Sequence, residues 1–163
     1  MSTSSASAEG KAYRLRKMSR SDVDSVATLI REFAQYMRDL GDMRELKLNA
    51  EVLEREGFGP RPAFEGLVAE VGDAVEGFVL YHDGFDTDEA CRVVFIVDLF
   101  VRKASRKLGI GAALMQEAGR IAKSQGARQL VWTVDKHNTA AVDFYEHMNG
   151  RLADWLHVMY VDL

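Results

Sequence analysis

VDLFVRKASRKLGIGAALMQEAGRIAKSQG, Val97 to Gly126, is the stretch that decides the fold. It opens inside a β-branched and aromatic run, Val93 to Val101, whose composition predicts a central strand. A short basic loop follows, then Gly109 and Gly111, then an amphipathic helix with Leu114, Ala118, Ile121 and Ala122 on one face. Glycine lets backbone pass close to a ligand with no Cβ in the way. A helix start offers unpaired N–H groups and the positive end of the helix dipole. Strand, glycine loop and helix N-terminus together predict a cradle for a phosphate or pyrophosphate.

Working outward, the helix ends at Gly126, a C-terminal cap, and Gln129 to Val134 reads as a further strand. Asn138 caps a last helix with Ala141, Phe144, Tyr145 and Met148 on its stripe, and Arg151 to Leu163 is expected to hold one or two terminal strands. On the other side, Gly66 to Val71 and Ala74 to Tyr81 flank the Gly72-Asp73 turn as a hairpin. Asp83 to Glu89 is acidic and loop-like. Further upstream, Val23, Val26, Ala27, Ile30, Phe33, Ala34 and Met37 keep the spacing of one buried helical stripe, capped by Ser19 or Ser21. A short helix from Asn49 to Glu56 follows, then a proline-containing loop, Phe58 to Phe64. Ala12 to Leu15 reads as a first strand. The order β, α, α, three strands, then α, β, α, β predicts an α/β mixed sheet with helices on its faces.

The 163 residues suit one domain, expected over 12–163, behind a Ser/Ala-rich tail, 1–11, read as disordered. That tail lacks the apolar core of a secretory signal. No apolar run approaches the roughly 18–20 residues of a membrane span. The lone Cys91 excludes an intramolecular disulfide and a cysteine-rich metal site, and fits a reducing compartment. A net charge of −4 argues against a general nucleic-acid binder. Within that acidic chain Arg102, Lys103, Arg106 and Lys107 crowd the glycine loop, either as a solvated face or as attraction for phosphate.

Three glycine-loop chemistries compete. A dinucleotide fingerprint needs a third glycine where Leu114 stands. A P-loop needs Gly-Lys-Ser/Thr, whereas Ala112 and Ala113 follow Gly111. Arg106-Lys107-Leu108-Gly109-Ile110-Gly111 instead matches Arg/Gln-x-x-Gly-x-Gly/Ala, and so resembles the acyl-coenzyme A pyrophosphate loop of the GCN5-related N-acetyltransferases (GNAT). The likeness runs from about Tyr13 to the C-terminus, through Arg16…Asp22, the glycine-turn hairpin and Asn138…Phe144-Tyr145. Within that superfamily the chain most resembles the spermidine/spermine and thialysine acetyltransferases. It shares Arg31-Glu32-Phe33-Ala34-Gln35-Tyr36, Glu56-Gly57-Phe58-Gly59, Leu67 to Val71 and Asp98 to Val101 with them.

The resemblance implies a mostly antiparallel sheet with a splayed parallel pair of strands, and acetyl-CoA as donor with coenzyme A as product. It implies that Leu99, Phe100 and Val101 pair with the pantetheine arm as an added strand would. Lys107, Leu108, Gly109, Ile110, Gly111 and Ala112 would wrap the pyrophosphate, Arg106 would attract it, and Asn138 and Ala141 would add contacts. Tyr145 would be the general acid, although its place on the apolar stripe also fits simple packing. Asp98 would be base or amine ligand, and Tyr36 would face the acceptor. Polyamine-acetylating relatives carry adjacent acids where this chain has Val97-Asp98, and Tyr-Glu where it has Tyr36-Met37. Losing those carboxylates argues against a long polycation. Asp39, Asp42, Glu45, Asp83, Asp86 and Asp88 could bind an amine, and His82 or His137 could be a base, but each also reads as ordinary surface.

The expected function is therefore acetyl transfer to a primary amine of a small molecule: a diamine, polyamine or lysine-like amine. The alternatives are a protein or peptide N-acetyltransferase and a non-catalytic acyl-CoA sensor. A homodimer is implied by the resemblance, and a cytoplasmic setting with no metal, nucleic-acid or membrane partner is expected.

Overall fold

Hydrogen bonding between strands organises the first of two compact units, Met1–Thr133 and Val134–Leu163. The structure is a computed structural model that describes residues 12–163, so the tail expected over 1–11 lies outside the described residues. Strands β1 (Arg14–Lys17), β2 (Glu65–Val71), β3 (Ala74–Asp86), β4 (Cys91–Val101) and β5 (Ala127–Trp132) lie side by side in chain order. The first four are antiparallel, joined by turns or by helices α1 (Val23–Asp39) and α2 (Ala50–Phe58). β4 and β5 are parallel, which requires the crossover supplied by α3 (Ile110–Ser124). The expected mixed sheet is the observed one.

The apolar stripe of α1 does what its spacing dictates. Val26, Leu29 and Ile30 pack with Leu53 of α2 and with Val68, Phe78, Leu80 and Phe100 of the sheet. The start of α1 is fixed by a 3₁₀ turn, Arg20–Asp22, in which the Ser19 amide and hydroxyl donate to Asp22 Oδ2 at 2.7 and 2.9 Å. Arg16 of β1 closes this corner, donating to both Asp22 oxygens at 2.7 Å and to Glu70 Oε1 of β2 at 2.8 and 2.6 Å. The guanidinium fork holds the Asp22 carboxyl down at a pKa of about 2, against the cost of its burial.

The ladder between β3 and β4 has one irregularity near the site. Leu80 pairs with Asp98, yet Tyr81 pairs with Ile96, so Val97 is an extra residue without a partner on β3. Such a bulge bends and twists the strand. β5 follows β4 only through Ile96 and then parts from it.

Several boundaries differ from the sequence reading. β3 runs to Asp86 and β4 starts at Cys91, so half of the acidic segment expected as loop is paired strand. Partners across the ladder outweigh poor β propensity there. The basic loop coils into a 3₁₀ helix, Lys103–Leu108, and α3 already begins at Ile110, which places Gly111 inside it.

In the second unit α4 (Thr139–His147) is capped by Asn138, whose Oδ1 accepts from the Ala141 amide at 3.2 Å. The strands expected over 151–163 do not form. Residues 134–163 contain no other strand to pair with, and a strand exists only through its partner's hydrogen bonds. The apolar side chains of that stretch, such as Trp155 at 75% and Tyr160 at 89% exposure, remain uncovered.

Candidate functional site

The free edge of β4 is where the first unit can accept a ligand along its backbone. The Arg102 amide donates to Glu76 O at 2.8 Å, which makes Gly77–Val101 a pair that exchanges no hydrogen bonds. By alternation, Phe78 and Phe100 bond each other, while Leu99 and Val101 turn their N–H and C=O groups away from β3. Beyond Ile96 no β5 residue takes up those groups. Of the expected trio, Leu99 and Val101 therefore offer backbone groups outward, and Phe100 spends its own on β3.

That edge runs into the glycine loop. Gly109 has φ +76°, the left-handed region that glycine enters without a Cβ penalty, and it precedes α3 with no side-chain cap. The first intrahelical bond runs from the Ala113 amide to Gly109 O, so the amides of Ile110, Gly111 and Ala112 have no partner within the helix. They form a donor set suited to an anion, at the positive end of a 15-residue helix.

The four cations of the loop separate into different jobs. Arg102 is gripped by carboxylates: Nε and Nη2 donate to Glu32 of α1 at 2.9–3.1 Å and Nη1 to Glu76 Oε1 of β3 at 2.6 Å. Arg106 donates Nε–H to Val101 O at 3.0 Å and lies over the rings of Tyr36 (4.8 Å) and Phe100 (5.6 Å). Lys103 and Lys107 form no ion pair with any described residue and remain available for an anion. The ring of Tyr36, expected toward an acceptor, lies under Arg106.

Asp98 sits on the Phe100–Leu80 face of the sheet, the face covered by α1 and α2. No described cation pairs with its carboxylate, and burial alone pushes its pKa up to about 6. His82, two residues beyond Leu80, shares that face and stacks on Phe95 with ring centroids 5.2 Å apart. His82 Nδ1 lies 2.9 Å from Asp83 O. In the second unit Tyr145 packs edge-on against Phe144 at 5.1 Å on α4, and the Ala141 amide is taken by the Asn138 cap. Among the described residues no cluster of His, Cys, Asp and Glu could hold a metal, and no helix is long and apolar enough to cross a membrane.

The sequence reading missed Glu32 and Glu76 as partners of the loop. Their one trace in the sequence is a matched spacing: Glu32 and Tyr36 are four apart on α1, as are Arg102 and Arg106 on the loop.

Comparison with known proteins agrees with this geometry. The family model described as "Acetyltransferase (GNAT) family" matches residues 28–150. Thialysine N-epsilon-acetyltransferase of Bos taurus is 30% identical over 145 residues, covering 84% of this chain and 83% of that protein. Spermidine/spermine N(1)-acetyltransferase-like protein 1 of Homo sapiens is 29% identical over 140 residues, 82% of this chain but 20% of that larger protein. Among solved structures, an integron cassette protein from V. cholerae superposes with a TM-score of 0.77 at 22% identity, covering 94% of each chain. With a family match that spans the splayed strands, the glycine loop and the following helices, the chain belongs to the GNAT acetyltransferase family and is an N-acetyltransferase.

Proposed function

We propose that this enzyme moves the acetyl group of acetyl-CoA to a primary amine of a small molecule, a diamine or a lysine-like amine, within one catalytic domain, 12–163. The observation that carries the reading is the free β4 edge, which leads from the unpaired Asp98 carboxylate into the uncapped start of α3. The small-amine assignment draws on relatives named for thialysine and for spermidine/spermine. The same resemblance carries a homodimer in the cytoplasm.

Acetyl-CoA supplies the activated thioester. Leu99 and Val101 hold its pantetheine arm by backbone hydrogen bonds, and the amides from Ile110 to Ala112, with Lys107, hold its diphosphate. By the same sequence resemblance, Asn138 and Ala141 would add contacts to the coenzyme. The amine arrives as an ammonium with a pKa of about 10.4, and stripping its proton at pH 7 costs roughly 4–5 kcal/mol. Asp98, with its pKa raised by burial to about 6, binds that ammonium and receives its proton at a carboxylate oxygen. The neutral amine would then attack the thioester carbonyl, forming the C–N bond as the C–S bond breaks, while Tyr145 gives its Oη proton to the departing sulfur and regains one from the nitrogen. A phenol near 10 and a thiol near 8.5 differ by about 2 kcal/mol, small enough to overcome within a held complex. The Tyr145 role rests on the Asn138…Phe144-Tyr145 sequence pattern.

The test is a panel of lysine, thialysine, putrescine, spermidine, an aminoglycoside and a peptide, each with acetyl-CoA and a free-thiol readout. Thiol release with the compact amines is expected. Release with the peptide alone, or with none despite coenzyme A binding, overturns the reading. Tyr145→Phe should lower kcat by about 10²-fold or more with little change in acetyl-CoA KM. Activity should rise with pH through about 6, because Asp98 must be ionised to take a proton, and Asp98→Asn should abolish that limb.

A further inference from the structure

The Arg102 cluster has the wrong charge for a phosphate site, and that is informative. One guanidinium faces two carboxylates, Glu32 and Glu76, so the group as a whole carries excess negative charge beside the loop proposed to take a diphosphate. An arginine serving as an electrostatic lure would be left without an ion pair, as Lys103 and Lys107 are among the described residues. What the cluster does provide is fixed geometry. Arg102 stands at the exit of β4, directly before the 3₁₀ helix. Its amide donates to Glu76 O, while its side chain ties to Glu76 Oε1 and to both oxygens of Glu32. The second Glu76 oxygen accepts from Ser105 Oγ at 2.9 Å, and Ser105 is buried one residue before Arg106. One helical turn along α1 from Glu32, Tyr36 underlies Arg106. The loop entrance is thus pinned at residues 102, 105 and 106 to α1 and to β3, a few residues ahead of the amides from Ile110 to Ala112.

We infer that Glu32, Glu76, Arg102 and Ser105 form a brace that presets the coenzyme loop, acting as positioning residues for the diphosphate of acetyl-CoA. The inference rests on the acetyl-CoA reading above. Preorganised donors bind an anion without first being ordered, and that gain disappears when the loop is released.

The experiment turns on sign and on the diphosphate. Glu32→Gln and Glu76→Gln remove negative charge near the coenzyme. If charge governs this region, each variant binds acetyl-CoA more tightly. If the brace governs it, each raises the acetyl-CoA KM by about tenfold, the size of a lost charge-assisted hydrogen bond, with kcat little changed. Acetylpantetheine, which lacks the diphosphate, serves as a second donor and should show no comparable loss. Ser105→Ala, a lighter cut, should shift KM in the same direction by a smaller factor even if a glutamate variant folds poorly. Tighter acetyl-CoA binding, or equal losses with both donors, overturns the brace. Should the wild-type chain acetylate no amine, calorimetry with coenzyme A and pantetheine still tests the brace while the activity reading falls. A chain that binds no coenzyme A overturns both.

Discussion

Two arginines in this protein each stand between two carboxylates, and they do different work. Arg16 joins Asp22 and Glu70 at the corner of β1, β2 and the start of α1; Arg102 joins Glu32 and Glu76 where β4 leaves the sheet. The arginine side chains are equally exposed, at 30% and 31%. The acids differ. Asp22 is 6% exposed and also accepts from Ser19, whereas Glu32 is 38% exposed and, among the described residues, accepts from Arg102 alone; Glu76, at 13%, also accepts from Ser105. A buried acid held by several donors becomes costly to strip of its partner, while an exposed ion pair contributes little to folding. On the proposal above, the first cluster serves stability, and the exposed Glu32 arm of the second serves the coenzyme loop.

The sharpest way to break this contrast is Asp22→Ala. It leaves Arg16 with Glu70 alone and strips the Ser19 amide and hydroxyl of their acceptor, so unfolding stability should fall by about 3 kcal/mol in urea titrations, with acetyl-CoA KM unchanged in the folded fraction. A milder probe is acid. The Asp22 pKa is depressed in the fold from 3.8 to about 2, so its contribution is complete above pH 3.8 and is lost as pH falls toward 2. That loss should amount to about 2 kcal/mol, and Asp22→Asn should flatten it in a pH series of melts. The smallest stability effect belongs to Glu32→Gln, within about 1 kcal/mol of wild type. A large melting shift from Glu32→Gln with no change toward acetyl-CoA would reverse the roles of the two clusters.

Local patterns carried much of this into the sequence. The stripe of α1, the Gly72-Asp73 hairpin, the strand through Val101 and the helix behind Gly109 were legible because period, turn chemistry and caps act over a few residues. Arg16 and Asp22 were also visible as a recurring pair, though not their joint grip on Glu70. What stayed hidden depends on distant partners. Glu76 lies 26 residues from Arg102 and Glu32 lies 70, separations across which no periodicity reaches. The extension of β3 through Asp83–Asp86 was hidden for the same reason, since its paired partners, Val94 to Cys91, supply the order that its own composition lacks. The basic run before Gly109 reads as four neighbouring charges in sequence, and only their neighbours distinguish an ion-paired Arg102 and a stacked Arg106 from lysines with no ion pair among the described residues.

The unpartnered Val97 has a consequence for comparing this protein with its relatives. A strand stores which side of a sheet a residue faces as a parity, odd or even, and one supernumerary residue inverts that parity for all that follow. Ile96 shares the side of Tyr81, and Asp98, two positions on, shares the side of Leu80. Without the inversion the carboxylate would share the Ile96 side, away from α1 and α2. An alignment that slides one residue through β4 would therefore exchange the side of the sheet that carries Asp98 for the other side. Grafting a strand from a homologue must preserve the count before it preserves the residues.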